Sequence, residues 1–444
     1  MTLNRKKKKV FLKSNNRKNQ ETLKKIKLEK GLLKDSGIMM AGVGGAQLVL
    51  FLFQFITRRL YDPEVFGVFD VYFNILLVLI NISCLRYEMA VILPKNDKSA
   101  YNILALTFIS SLIINVIAFI ILIIFRDSIL NLLSIDKKFF VLFLLLPLTA
   151  FISSFYQSIN NSLIRLRLFK SSSLNRIVRR FIEGSVQFSF GKFRLQGGLI
   201  LGDLAGNFIA FFMGVIQLAN NGFKLKYISK RKIKYVFKRY LYLPKLSLLP
   251  NLLNIFSSAF PIILINIFFG PENAGYYGLT RTVLLVPTAL IGASVSQVLM
   301  QRISINRNNN KSIRNDIKSI LYLISIPTIL GSIILFLWSV PIFSFAFGEN
   351  WAMSGEITKI MLLPFVLQFM VSPISTVFIA LEKIKLQSAW QVTYFIAIIS
   401  LFLFENNSFS EFLIYFALIY TILYSLYIIL TIIVIYKYEL KIKH

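Results

Sequence analysis

The sequence has almost none of the side chains that most often carry covalent or metal chemistry. It contains a single cysteine, Cys84, and a single histidine, the terminal His444. One cysteine excludes a disulfide framework or a thiolate metal cluster within the chain. One terminal histidine leaves no imidazole pair for acid–base catalysis or for a zinc site. We therefore expect no metal and no cofactor, and we expect that the protein is not an enzyme.

Acidic side chains are also scarce. The chain has 20 aspartates and glutamates against 50 lysines and arginines, a formal net charge of +30, and only 16% charged residues in total. A soluble protein with this charge would suggest a nucleic-acid partner, but that interpretation needs a basic folded face or a binding module. The sequence shows neither, so we predict no nucleic-acid partner. Its basic residues lie in short segments between apolar runs, a pattern that orients membrane proteins.

Apolar residues, in contrast, are abundant. They make up 56% of the 444 residues, and the mean hydropathy is +0.67. A soluble domain of this size does not cover so much apolar surface, and a membrane-spanning helix needs about 20 apolar residues. The sequence therefore predicts an all-α integral membrane protein with about twelve transmembrane helices. The predicted spans are 36–57, 65–85, 101–125, 139–160, 172–191, 197–218, 246–269, 274–300, 318–345, 357–380, 387–404 and 411–436.

The fifth predicted span carries the most charge, with Arg176, Arg179, Arg180 and Glu183 inside it. We retain it because its removal would place the basic loop at 224–239 and the acidic Pro271-Glu272 loop on the wrong sides of the membrane. With this span included, the basic segments fall on one side. The prediction is a multi-pass cytoplasmic (inner) membrane protein with both termini in the cytoplasm.

The two parts of the chain echo each other. Pro63-Glu64-x-x-Gly67-x-Phe69 recurs 208 residues later as Pro271-Glu272-x-x-Gly275-x-Tyr277, and Leu145-Leu146-Pro147 has a weaker counterpart in Leu362-Leu363-Pro364. Repeats of six helices have the same orientation, so they are related by an axis along the membrane normal and enclose a central cavity. The predicted organisation is a basic cytoplasmic tail at 1–35, a six-helix bundle at 36–219, a basic linker at 220–243 and a second bundle at 244–444.

Several stretches resemble one known family. Thr57-Arg58-Arg59-Leu60-Tyr61-Asp62-Pro63-Glu64-Val65-Phe66-Gly67, the segment at 85–94 and Phe269-Gly270-Pro271-Glu272-Asn273-Ala274-Gly275-Tyr276-Tyr277 are similar to bacterial polysaccharide transporters, the O-antigen and capsule repeat-unit flippases. Further similarity lies at 287–292, 301–302, 363–364 and 372–373. The resemblance implies the superfamily of multidrug, oligosaccharidyl-lipid and polysaccharide exporters, which work by alternating access. It also implies a polyprenyl-diphosphate-linked oligosaccharide as substrate, with other polysaccharide-assembly membrane proteins as possible partners.

A diphosphate headgroup at the bilayer midplane needs cations to replace its water. Arg176, Arg179 and Arg180 have helical i, i+3, i+4 spacing, and guanidinium groups suit phosphate oxygens. Arg281 lies in the apolar eighth span. We predict that these four arginines bind substrate. The alternatives are an interfacial position for the first three, where they would meet membrane lipid headgroups, and an ion pair with Asp70 for Arg281.

Three acidic residues lie within predicted spans: Asp70, Glu183 and Asp203. Each is a candidate for binding a coupling cation or proton, or for an internal salt bridge. The coupling ion itself is unknown. Arg86 and Glu88, just inside the cytoplasmic end of helix two, resemble the family signature and are predicted to form a gate or a structural ion pair.

Two other functions fit the composition. A cation-coupled multidrug exporter would share the fold, because fold does not determine substrate. Its cavity should be acidic or apolar, whereas the charges within these spans include an excess of arginine. A membrane polysaccharide polymerase would need a long extracytoplasmic loop or an acidic catalytic motif, and the sequence has neither.

Overall fold

The computed structural model describes residues 37–287 and 292–443, and every regular element in these ranges is helical. The predicted basic tail lies outside the described residues. Within them, the structure is an all-α integral membrane protein whose helices form two bundles, as the sequence predicts.

The N-terminal bundle contains eight helices, of which α4 and α5 are short. Their bounds are α1 Gly37–Leu60, α2 Pro63–Ser83, α3 Asp97–Ile124, α4 Arg126–Leu132, α5 Phe140–Phe143, α6 Leu146–Arg165, α7 Phe169–Lys192 and α8 Gly198–Asn220. Local signals set several ends. Pro63 occupies the first turn of α2, where a missing N–H costs nothing, and the Asn96 side chain caps α3 by accepting from the N–H of Lys98 at 2.9 Å.

The linker contains one helix, α9 Lys230–Arg239, and the C-terminal bundle follows. Its helices are α10 Leu249–Pro287, α11 Ala293–Asn308, α12 Arg314–Phe347, α13 Ala352–Ile374, α14 Thr376–Ala380, α15 Ile384–Ile399 and α16 Phe409–Lys443. A 3₁₀ helix, Ser400–Phe404, extends α15.

Among the residues that the structure describes, ten helical segments are long and apolar enough to cross a membrane. One of them, Pro244–Val286, has 43 residues, about twice the length of one crossing. Gly270, with φ +85°, breaks it into two helices, because only glycine adopts this conformation without strain. The charged α7 has 24 residues and packs along α8. With α7 included and Pro244–Val286 counted as two helices, the described membrane-crossing helices number twelve.

The predicted eighth span at 274–300 includes residues 288–291, which lie outside the described residues. On either side of them the described chain is helical, up to Pro287 in α10 and again from Gly292 into α11. The continuity of this span therefore stays a prediction.

The repeated motifs meet each other in space. A Cβ atom on Gly67 would lie 1.6 Å from the carbonyl oxygen of Pro271, and a Cβ on Gly275 would lie 2.0 Å from the carbonyl oxygen of Pro63. These contacts are reciprocal, as a two-fold relation between the repeats requires. Both glycines permit a backbone approach that any side chain would prevent.

Aromatic residues close this end of the molecule. We call it the closed end and define it by residues 60–67, 270–275 and 345–351. Phe66 meets the Trp351 ring edge-to-face at 5.5 Å, and Phe55 stacks on Phe347 at 5.2 Å. Each pair joins the N-terminal half to the C-terminal half. In the predicted topology, the closed end faces away from the cytoplasm.

Candidate functional site: a cavity between the two halves

A cavity of about 280 Å³ lies between the two bundles, bounded by α1, α2, α7 and α10. We call it the central cavity. It extends from Arg58, near the closed end, toward Gln47, Leu77 and Val286, which lie further along their helices from that end. Its polar lining is Gln47, Gln54, Arg58, Asp70, Asn74, Arg180, Glu183, Gln187, Arg281 and Thr282.

Arg281 joins the two halves inside the cavity. Its Nη1 donates to Oδ1 of Asn74 on α2 at 3.2 Å, and its Nη2 donates to the hydroxyl of Ser258 at 2.7 Å. Both partners are neutral. The alternative ion pair with Asp70 does not form, since no described carboxylate lies within 4.0 Å of this guanidinium. The positive charge of Arg281 therefore faces the cavity without a direct counter-charge.

Asp70 lies one turn before Asn74 on α2. It packs against Gly278, the residue that occupies the position of Asp70 in the second repeat. A Cβ on Gly278 would lie 1.9 Å from Oδ2 of Asp70, so the missing side chain of one repeat makes room for the carboxylate of the other. That Oδ2 atom is buried and has no hydrogen-bond donor among the described residues. Asp70 thus shares the cavity with Arg58 and Arg281 without pairing directly with either.

Arg58 is a cavity residue that the sequence analysis did not select. It is only 3% exposed, and its Nε donates to Oε1 of Gln54 at 3.0 Å. Its guanidinium lies 3.5 Å from the centroid of the Phe66 ring and 4.4 Å from that of Trp351, both favourable cation–π distances. Its Nη1 is buried without an acceptor among the residues described. The side chain connects the closed end to the central cavity.

The structure splits the predicted arginine stripe of α7. Arg180 and Glu183 line the cavity and pair at 2.7 Å, whereas Arg179 pairs at 3.5 Å with the fully buried Asp203 of α8. Arg176 is half-buried and does not line the cavity. The helix that carries them begins at Phe169, so all three lie well inside it.

Glycines of α8 hold α7 in place. A Cβ on Gly202 would lie 2.8 Å from the carbonyl oxygen of Glu183, and one on Gly206 would lie 2.7 Å from that of Arg179. Small residues four apart allow such close packing of membrane helices. The four charged side chains of α7 and α8 are therefore fixed by backbone contact as well as by their ion pairs.

Arg86 and Glu88 lie outside the central cavity. They follow α2 in the 3₁₀ helix Tyr87–Ile92 and its cap, and their side chains are 3.5 Å apart. Burial raises the pKa of the Glu88 carboxyl above its ordinary value, against the opposing effects of a backbone hydrogen bond and the charge of Arg86. Asn161 of α6 donates to the Glu88 carbonyl oxygen at 2.9 Å. These contacts join the loop to α6, and the gate stays a prediction.

Comparison with known proteins identifies the family. A family described as "Polysaccharide biosynthesis protein" matches residues 56–356, about two thirds of the chain. The chain belongs to this family. The matched range of the polysaccharide biosynthesis family includes every charged residue of the central cavity, and the resemblance seen in the sequence is confirmed. No curated protein sequence matches the chain.

Solved structures share the fold of this polysaccharide biosynthesis family member. An inward-facing multidrug resistance MATE family transporter of the MOP superfamily aligns with TM-score 0.73 and 12% identity, over 88% of this chain and 95% of that one. The lipid II flippase MurJ, in an inward closed conformation, aligns with TM-score 0.69 and 16% identity, over 91% and 90%. A MOP superfamily transporter from Pyrococcus furiosus aligns with TM-score 0.58 and 14% identity, over 93% and 96%. At these identities the alignments show the fold alone.

Proposed function

We propose that this chain is a flippase that moves polyprenyl-diphosphate-linked oligosaccharide repeat units from the cytoplasmic to the periplasmic leaflet, for surface polysaccharide biosynthesis such as that of O-antigen. The family supports a role in polysaccharide biosynthesis, and the fold is that of MOP superfamily transporters. The proposal commits to the lipid-linked substrate because of the charges in the central cavity.

One observation carries the proposal. Arg281 points into a cavity between the two halves and is held there by neutral groups of both, Asn74 and Ser258. A guanidinium in a membrane interior is costly unless it meets water or an anion. With Arg58 and Arg180, the cavity holds three arginines against Asp70 and Glu183. A diphosphate would find forked, charge-assisted donors there.

The geometry is suited to alternating access. The halves contact each other tightly at the closed end, and the central cavity extends away from it. We propose that the closed end is periplasmic, that both termini are cytoplasmic, and that this conformation admits substrate from the cytoplasmic side. Transport then requires the closed end to part while the opposite end closes.

Asp70, Glu183 and Asp203 are our candidates for coupling transport to a cation or proton gradient. Glu183 and Asp203 are held in ion pairs with Arg180 and Arg179, so their role includes maintaining the α7–α8 contact. Asp70 has no such pair, which makes its carboxylate the more available of the three to a proton or cation.

Export of organic cations is the second candidate, favoured by the two carboxylates in the cavity. Proteoliposomes distinguish the two functions. We expect the reconstituted chain to flip a fluorescent polyprenyl-diphosphate oligosaccharide, measured by its exposure to a membrane-impermeant quencher, and to leave a fluorescent organic cation untransported. Transport of the cation without flipping of the glycolipid would overturn the proposal.

A further inference from the structure

The linker helix α9 has a composition unlike the rest of the chain. Six of its ten residues are lysine or arginine, and the sequence from 224 to 245 contains no acidic residue. None of the salt bridges formed by the described residues involves these six side chains. Membrane orientation favours a basic loop here, but it does not require that the basic residues form a helix docked on the N-terminal bundle.

α9 is docked rather than loose. Val236 and Tyr240 are buried against Tyr87, Val91 and Ile103 of the N-terminal bundle. The Tyr87 hydroxyl donates to the Phe237 carbonyl oxygen at 3.2 Å. The segment before the helix is held by Asn102 of α3, which accepts from the Ser229 N–H at 3.0 Å. The helix therefore presents its remaining faces in a fixed orientation.

The face opposite the buried residues is basic. Arg231, Lys234 and Lys238 follow i, i+3, i+7 spacing, which places them on one side of the helix, about opposite Val236 and Tyr240. All three are exposed. By contrast, the Arg239 guanidinium donates to the Tyr235 hydroxyl at 3.0 Å, so it is partly satisfied within the helix.

Exposed apolar residues flank α9 in the fold. Leu246 and Leu249, just after the helix, are 73% and 64% exposed. Ile92 and Leu93, which belong to the loop packed against α9, are 44% and 52% exposed. Two membrane-spanning helices, α3 and α10, begin beside these residues. Such residues contact hydrocarbon, so α9 lies at the level where the membrane-spanning helices meet the headgroups.

We propose that the Arg231, Lys234 and Lys238 face of α9 is a binding site for anionic phospholipid headgroups of the adjoining leaflet. Basic residues next to apolar anchors bind anionic lipid through combined charge attraction and apolar insertion. Since α9 is the covalent link between the two bundles, bound lipid stabilises the position of the linker against the N-terminal bundle.

The test uses the purified full chain in neutral detergent, titrated with phosphatidylglycerol or phosphatidylcholine while tryptophan fluorescence follows thermal unfolding. We expect phosphatidylglycerol alone to raise the melting temperature. In the variant R231Q/K234Q/K238Q, the lipid concentration for half of this effect should rise at least about fivefold, because each juxtamembrane cation strengthens binding severalfold. The matched control K311Q/K383Q/K385Q removes three exposed charges from the C-terminal bundle and should respond as the wild type does.

Other outcomes are also decisive. An unchanged response in R231Q/K234Q/K238Q, or an equal response to phosphatidylcholine, would overturn the proposal. So would an equal shift with inorganic phosphate or duplex DNA, since each would indicate a site for soluble anions. If the glutamine variant fails to fold, two measurements replace it. The charge-preserving variant R231K/K234R/K238R should keep the wild-type response to phosphatidylglycerol. The wild-type response should be lost in about 0.5 M NaCl, where the screening length is only a few ångströms.

Discussion

The indole N–H of Trp351 donates a hydrogen bond to the backbone carbonyl oxygen of Arg58 at 2.6 Å, and the Arg58 guanidinium lies over the same indole ring. The two residues belong to opposite halves of the protein. Arg58 also lines the central cavity, so an anion bound there and the contact that closes the molecule act on the same side chain.

Replacing Trp351 with phenylalanine should weaken the closed end. The change keeps a ring but leaves the Arg58 carbonyl without its donor, a loss of about 1 kcal/mol or about fivefold in the closed-to-open ratio. In a Cys84→Ser background, a Thr282→Cys probe in the cavity should then react about fivefold faster with an impermeant thiol reagent added from the closed-end side.

Trp390→Phe is the matched control, because the Trp390 indole donates to the Leu423 carbonyl oxygen within the C-terminal bundle. Labelling of the probe should be unaffected in this control. Equal labelling rates in the two tryptophan variants would show that the Trp351 contact does not hold the closed end.

Gly67→Ala should separate the halves at the closed end. The added methyl group meets the Pro271 backbone, which cannot move aside as a flexible side chain does. The expected cost is about 1–3 kcal/mol, visible as a lower melting temperature and as faster probe labelling from the closed-end side. Gly275→Ala, which meets the Pro63 backbone, should have the same effect, since the contacts are reciprocal.

Gly44→Ala on α1 provides the comparison, as no described atom apart from the adjoining backbone of α1 lies within 4 Å of the added Cβ. It should be neutral or stabilising by about 0.5–1 kcal/mol, because alanine favours a helix interior over glycine. A wild-type melting temperature and labelling rate for Gly67→Ala would contradict the close approach of the two repeats.

Asp203→Asn should destabilise the α7–α8 contact. It leaves the guanidinium of Arg179 without its carboxylate in a largely buried position, at a cost of about 3 kcal/mol. Thermal unfolding in detergent measures the loss. The double variant Asp203→Asn/Arg179→Gln should recover part of it, and a double variant less stable than the single one would show that the pair is not the source of the effect.

The number of membrane crossings and the pairing of repeats were accessible from sequence. Apolar length identifies a span directly, and the Pro-Glu-x-x-Gly echo marks residues that meet at the two-fold contact. Helix kinks were less accessible. Hydropathy does not mark the non-helical backbone of Trp338 inside α12, because a straight and a kinked apolar helix have the same composition.

The central cavity was only partly predictable. Arg281, Asp70, Arg180 and Glu183 stand out because each is a charge inside an apolar run. Arg58 does not stand out from its neighbour Arg59, since both lie at the end of the first span. Arg59 instead donates to the Phe345 carbonyl oxygen at the closed end. Packing against Phe66 and against Trp351, the latter from a distant part of the chain, buries Arg58 beside the cavity.

The most direct test of the account is the flipping rate of a fluorescent polyprenyl-diphosphate oligosaccharide in proteoliposomes containing Arg281→Ala. Removing a forked cationic donor should slow flipping about 10- to 100-fold, Arg281→Lys should retain part of the rate, and the exposed Arg126→Ala should match the wild type. Wild-type flipping by well-folded Arg281→Ala protein would contradict the account of a cationic cavity that carries the diphosphate.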